Sequence, residues 1–282
     1  MSRVTSSVFM GSMVAAIVAL NAGCTVQATV KTKTRFEEPG VSAQSTTTDE
    51  WKGEPIKIQA EGVGVAVNGG LTVRVDPNAK TISATAKMVA LAEAEDKTSA
   101  DASIVDAKAT FKITKDGSGW LVMCGHGGTH GTSNAGESGC NDVTVTIPAG
   151  DTTNLVDLEA LSGNGSVNVD LSAVGGLKRA GVNGKGDITF RGPSTAAATK
   201  GAIVSIVAPQ ADDISVLVAR DFSADEIILQ ADADKTTNGF SDVTLDSSGK
   251  GKRGNAGEGY ASIKATSQEF AGETGKVSLG SL

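Results

Sequence analysis

Gly163-Asn-Gly165-Ser-Val167-Asn-Val169 is followed by Gly184-Lys-Gly186-Asp-Ile188-Thr-Phe190, two copies of one short unit. The unit is a glycine turn, a small polar residue, then an apolar–polar–apolar strand. Weaker copies are Lys200-Gly201-Ala-Ile203-Val-Ser-Ile206, Gly239-Phe-Ser-Asp-Val243-Thr-Leu245, Gly257-Glu-Gly259-Tyr-Ala-Ser-Ile263 and Gly275-Lys-Val277-Ser-Leu279. None can bury its apolar side chains alone, whereas stacked copies build one narrow core of Val, Ile, Leu and Ala. The repeat therefore predicts an all-β fold in which residues 151–282 form a parallel β-helix or solenoid-like region. Val167 should face Ile188 and Val169 face Phe190 in neighbouring strands, with Gly165 and Gly186 at matching corners. An antiparallel β-sandwich of hairpins is the alternative, since Gly-x-Gly turns permit it too.

Upstream, residues 51–150 read as a β-rich half. Ile56-Lys-Ile58, Val63-Gly-Val65-Ala-Val67 and Leu71-Thr-Val73-Arg-Val75 alternate with period two, and Asn68-Gly-Gly70 and Asp76-Pro77-Asn78 supply turns. Further strands are expected at 81–88, 109–113, 120–123 and 143–147. One short helix is expected near 98–107, with Ser99 or Thr98 as its cap. Residues 24–50 are polar and poor in large apolar side chains, which reads as a flexible tether.

Of the 282 residues 39% are hydrophobic but only 4% aromatic, which suits closely stacked strands and leaves no aromatic platform for a ligand. The formal net charge is −7, and without residues 1–23, whose one charge is Arg3, it is −8. Lys250-Gly-Lys252-Arg253 is an isolated basic loop, so nucleic acid is excluded as a partner for want of a basic stripe.

The apolar run Val14-Ala-Ala-Ile-Val-Ala-Leu-Asn-Ala-Gly-Cys24 follows Arg3 and ends in small residues, as a secretory signal peptide over 1–23 would. Cysteine directly after Ala22-Gly23 resembles the lipidation site of bacterial lipoproteins. That resemblance implies acylation of Cys24 (thioether lipid and palmitate-type acyl chains), cleavage before it, and anchoring in the cell envelope. The outer membrane is the expected site, with the chain facing the periplasm or the surface. Asn21 departs from the larger apolar residue usual there, and a plain secretory peptide cut near Ala22 is the alternative. Cys124 and Cys140 then remain in an oxidising compartment, where pairing is the default. A metal site, Cys124-x-His126-x3-His130-x9-Cys140, competes with it, although structural zinc prefers tighter cysteine spacing.

Three stretches carry a further resemblance: Asn141-Asp-Val-Thr-Val-Thr-Ile-Pro-Ala-Gly150, then Leu155-Val-Asp-Leu-Glu-Ala-Leu-Ser-Gly-Asn-Gly-Ser-Val-Asn-Val169, and the glycine repeat itself. Over most of residues 51–282 the chain resembles the adhesin-like domains of unknown function that fold as β-helices on bacterial envelope proteins. The resemblance implies that fold and an envelope setting, and lends no catalytic residues.

A polysaccharide-acting enzyme on a β-helix would need paired carboxylates, or a carboxylate-bound metal with a basic residue, along one strand face. Asp187, Arg191, Asp212, Asp213 and Arg220 are the candidates, but their spacing puts no two at clearly equivalent positions of neighbouring strands. Asn183-Gly-Lys-Gly-Asp187 is a single degenerate copy of a calcium-binding repeat, which needs several copies to build a cage. The expectation is therefore a non-enzymatic envelope lipoprotein without a cofactor. Its membrane contact is the acylated Cys24, and Thr/Ser/Asn-lined faces would present a surface to an envelope macromolecule that the sequence does not name.

Overall fold

Apolar side chains at every second position make most of this chain extended, and a computed structural model shows how the strands assemble. It describes residues 33–37, 41–60, 70–106, 110–125, 136–163 and 165–282. The strands are β1 (Thr34–Glu37), β2 (Val41–Thr46), β3 (Ile56–Ala60), β4 (Leu71–Asp76) and β5 (Ser83–Ala94). After helix α1 (Lys97–Asp106) come β6 (Thr110–Asp116), β7 (Gly119–Gly125), β8 (Gly136–Pro148), β9 (Val156–Ser162) and β10 (Val167–Asp170). Next are β11 (Leu177–Gly184), β12 (Ile188–Arg191), β13 (Ile203–Ala208), β14 (Ile214–Val218) and β15 (Ala224–Gln230). The last four are β16 (Thr236–Asn238), β17 (Lys250–Arg253), β18 (Ser262–Ser267) and β19 (Val277–Ser281).

They form two mixed sheets. Sheet A runs β1-β5-β8-β4-β10-β12-β14-β19-β16, with β2 also paired to β5, and sheet B runs β17-β15-β18-β13-β11-β9-β3-β7-β6. Through much of its length the chain alternates between sheets, so that strands pair off into tiers with one member in each. In space the tiers stand in the order β7/β8, β3/β4, β9/β10, β11/β12, β13/β14, β18/β19, β15/β16. Neighbouring tiers are parallel in both sheets. The order departs from the chain at both ends: β3/β4 lies between β7/β8 and β9/β10, and β18/β19 between β13/β14 and β15/β16. Antiparallel strands close the stack, with β5 on β8, β6 on β7, and β17 on β15.

The pairing follows the repeat. Val167 lies opposite Ile188 and Val169 opposite Phe190, in parallel. Inward columns continue above and below through Val143, Leu71, Ile214 and Val277, each at most 2% exposed. Sheet B supplies Ile56, Leu158, Ala180, Val204, Ile263 and Ile227 in the same way, and both sheets share one apolar cluster. Each fully buried Val, Leu or Ile contributes about 1.5–3 kcal/mol relative to exposure, so the columns hold the tiers together. The corners match as well. Gly165 takes φ 115°, its N–H donates to Lys185 O at 3.1 Å, and a Cβ on Gly186 would meet Gly165 C at 2.6 Å. Gly186 is therefore fixed by the close approach of the neighbouring backbone.

Other expectations are corrected. Residues 34–37 and 41–46, placed in a tether over 24–50, are strands paired antiparallel to β5. They escaped notice because Ser42, Gln44 and Thr46 face solvent, and the pairing is made by backbone groups. Residue 150 is no boundary between halves, since β3 pairs with β9 and β4 with β10. Val243–Leu245 is not a strand: Asn238 Nδ2 donates to Phe240 O and Val243 O at 3.0 and 2.7 Å and closes a turn there. The helix begins at Lys97, where Asp96, rather than Ser99 or Thr98, accepts the Ser99 N–H at 2.8 Å. Ser99 itself holds the Asp96 carboxyl below its ordinary range, through that N–H and its hydroxyl. Val63–Val67 lies outside the described residues.

Candidate interaction surface

The polar member of each apolar–polar–apolar strand points outward, and stacking aligns these members into rows across each sheet. On sheet A the middle row runs Gln44, Thr85, Thr144, Thr72, Asn168, Thr189, Ser215, Ser278, Thr237, one from each of nine neighbouring strands. At about 4.8 Å between strands it spans roughly 38 Å. Every residue in it can both donate and accept a hydrogen bond. Among the described residues one hydroxyl of the row is spent on the protein, that of Ser278, which donates to Ile214 O at 3.3 Å.

The rows beside it differ. Toward the strand starts lie Asp142, Gly70, Ser166, Asp187, Asp213 and Lys276, each just before the residue that its strand gives to the column of Val143, Leu71, Val167, Ile188, Ile214 and Val277. Toward the strand ends lie Thr146, Arg74, Asp170, Arg191, Leu217 and Gly280, and here Arg74 Nε donates to Thr146 Oγ1 at 3.0 Å. Sheet B has no such uniform row. Its middle positions are Leu121, Lys57, Glu159, Gly181, Ser205, Lys264 and Ile228. Several of its outward groups are tied to one another, as in Arg179 Nε to Asp157 Oδ1 at 2.7 Å and Thr266 Oγ1 to Gln230 Oε1 at 3.0 Å. A cavity of about 400 Å³ opens at the β2 end of the sheet A row, lined by Ser42, Ala43, Gln44, Thr85, Ala86, Lys87 and Asp142. A second, of about 360 Å³, is lined by Asp49, Glu50, Lys52, Glu54 and Lys115.

Stacking brings together two of the residues weighed for catalysis. Asp187 and Asp213 stand at equivalent corners of adjacent tiers, contrary to what their spacing suggested. Their carboxylates cap backbone: Asp187 Oδ1 accepts the Asp213 N–H at 3.2 Å and Asp213 Oδ1 accepts the Lys276 N–H at 2.7 Å. Arg191 lies at the far end of β12 from Asp187, and Arg220 follows β14, where its carbonyl accepts from Arg253. None of the five candidates lines either cavity, and among the described residues no group of acids, histidines and cysteines converges as metal ligands would.

Asp212 is the odd member of this group. Its Oδ2 is buried without a partner, and burial, then the Asp187 and Asp213 charges, push its carboxyl above the ordinary 3.8. The folded state therefore holds this proton more tightly than the unfolded chain does. Stability falls as pH rises from about the ordinary value through the raised one. Asp212→Asn should accordingly stabilise the protein at pH 7, by under about 1 kcal/mol because the group is partly exposed. The gain should vanish below the ordinary carboxylate range. Melting temperatures of variant minus wild type across acid and neutral pH isolate this effect from the other carboxylates.

Cys124, the second-last residue of β7 in sheet B, is joined to Cys140 of β8 in sheet A with Cα atoms 5.9 Å apart, and both are 1% exposed. The disulfide thus replaces the metal-site alternative for the two cysteines. His126 and His130 lie outside the described residues, as does Cys24.

No family model matches the chain, and no curated protein matches it. A solved structure of a candidate cell adhesion protein from Clostridium sporogenes does, covering 86% of this chain and 100% of its own, with a TM-score of 0.50 and 13% identity. The likeness is one of fold. A candidate adhesin from Bacteroides fragilis matches over 86% of this chain and 97% of its own at 9% identity, with a TM-score of 0.19 that carries no argument.

The expectation of Thr/Ser/Asn-lined faces carries no indication that they collect on one sheet. The signal was available. The first inward pair of each of these sheet A strands encloses Thr, Asn or Ser (Leu71-Thr-Val73, Val167-Asn-Val169, Ile188-Thr-Phe190, Ile214-Ser-Val216, Val277-Ser-Leu279), while the corresponding pairs of sheet B enclose a mixture of Leu, Lys, Glu, Gly, Ser and Ile.

Proposed function

We propose that this chain is a non-enzymatic lipoprotein of the bacterial cell envelope whose β-solenoid body, adhesin-like in fold, binds a surface macromolecule. The observation that carries the reading is the row of hydroxyls and amides on sheet A, all but Ser278 without a side-chain hydrogen bond to the protein among the described residues. The fold likeness to a candidate cell adhesion protein supports it. So does the use of Asp187 and Asp213 as backbone caps, a structural role for both carboxylates. The parallel tiers and continuous inward columns favour a solenoid over a sandwich of hairpins.

Anchoring follows from Cys24. Wild-type protein extracted from membranes should show an acylated N-terminal cysteine by intact mass, and Cys24→Ser should move it to the soluble fraction or leave it unprocessed. A soluble, unacylated wild-type form would overturn the anchor. Adhesion itself is tested by comparing attachment of cells with and without the protein. Reducing ends released from polysaccharide by purified wild type, and lost in Asp187→Asn, would move the protein to the enzyme reading.

A further inference from the structure

We infer that the middle row of sheet A is a track for a neutral linear polysaccharide, held by its hydroxyl edges along the stacking axis. The inference rests on the binding role proposed above and names the partner's chemistry. Among the described residues eight of the nine side chains in the row make no hydrogen bond to the protein, whereas outward polar groups in the flanking row and on sheet B are partly tied to neighbours. A ligand that satisfies them must donate and accept at each step, because each Thr, Ser, Asn or Gln does both. It must also advance by about one strand spacing per unit and carry little charge along its spine. The sugar rings of an extended glycan meet all three requirements. A phosphate backbone fails the last: Arg74 and Arg191 on one border are separated by Asp170, which lies beside both, Asp187 and Asp213 stand on the other border, and the chain is net negative. An amphipathic helix fails as well, because the row offers no apolar side chain.

The cavity at the β2 end belongs to the same track. Gln44 and Thr85 begin the row and also line the cavity, and Lys87 and Asp142 add charged groups at that mouth. One end of a glycan, or a branch from it, is thus received in a depression while its length lies across the strands. Without aromatic side chains in the row there is no ring stacking, so each sugar contributes little and affinity accumulates along the track. Hydrogen bonding between neutral groups also makes the contact insensitive to salt, unlike one built on charge.

The test uses purified mature protein with cellohexaose, chitohexaose and oligogalacturonate as probes, read by calorimetry at low and high salt. The triple variant Asn168→Glu, Thr189→Glu, Ser215→Glu places carboxylates across the track; Asn183→Glu with Ser205→Glu does the same on sheet B. The expected result is binding of a neutral oligosaccharide, weakened about tenfold or more only by the sheet A variant, with little change between salt conditions. Both variants should keep the wild-type circular dichroism spectrum, which separates loss of contact from loss of fold. Equal binding by the sheet A variant, preference for the anionic probe, or no binding to any of the three would overturn the track. Cell attachment that depends on the protein but survives periodate oxidation of the target surface would also overturn it, pointing to a protein partner and leaving the adhesive role intact. Attachment indifferent to the protein would instead remove the role itself.

Discussion

Ile188→Asp is expected to leave the protein unfolded at ambient temperature, while Thr189→Asp, one residue on, folds and melts close to wild type. Ile188 is 1% exposed and packed in the inward column between Val167 and Ile214. A carboxylate there has no cationic partner and cannot reach water, so it is either buried charged or protonated at a large cost in its pKa. Together with the lost apolar packing the penalty is about 4 kcal/mol or more, a large part of the 5–15 kcal/mol typical of a folded domain. Thr189 points outward between Asn168 and Ser215. Its replacement gives up some β propensity and costs under about 1 kcal/mol. Circular dichroism and urea titration of the two variants measure both. A destabilised Thr189→Asp beside a folded Ile188→Asp would reverse the inward and outward assignment of sheet A.

Replacing both Cys124 and Cys140 by Ser should cost about 3 kcal/mol, the value for a loop of about 15 residues closed by a disulfide; here the cysteines are separated by 16 positions. The bridge crosses between the sheets within the β7/β8 tier, one tier out from β3/β4. Its loss should therefore be felt first at that end of the stack, in β5 to β8, with β11 to β14 still protected. Wild type treated with reductant should lose the same amount. Urea midpoints give the size of the loss, and hydrogen exchange by mass spectrometry its position. A double variant as stable as the oxidised wild type would mean that the unfolded chain gains no freedom when the loop is opened.

The stacked part of this fold is written in its sequence because each strand announces itself locally. Gly165, Gly186, Val167 and Ile188 specify a corner and an inward pair within a few residues, and the partner only has to repeat the phrase. β14 and β15 join the stack without the glycine phrase, since Asp213 before Ile214 and Ser223 before Ala224 fill their corners in other ways. β1 and β2 were illegible for a different reason. They bury little and take their backbone partners from β5, so no apolar alternation marks them. Tier order was not legible either. Nothing near Ile263 or Val277 records that these strands will be flanked on both sides while the earlier β15 and β16 lie farther out. The proposed binding surface falls between these cases: its residues are visible one by one, but only the alternation between two sheets gathers Thr, Ser and Asn into one row.

That transposed order has a consequence for how the molecule is made. A chain emerging from a ribosome or an export channel delivers β15 and β16 before β18 and β19, yet their native place is one strand width beyond the growing edge of β13 and β14. Until the later strands arrive β15 has only its antiparallel partner β17, neither β15 nor β16 has its parallel partner, and the nearest exposed edges are the wrong ones. Docking there early would have to be undone, and parallel pairing over long sequence separation is slow in any case. The β18/β19 tier therefore acts as a keystone delivered last. Until it is seated, β13, β14, β15 and β16 all present open edges, which makes a nascent or interrupted chain the form most exposed to proteases and to pairing with other strands.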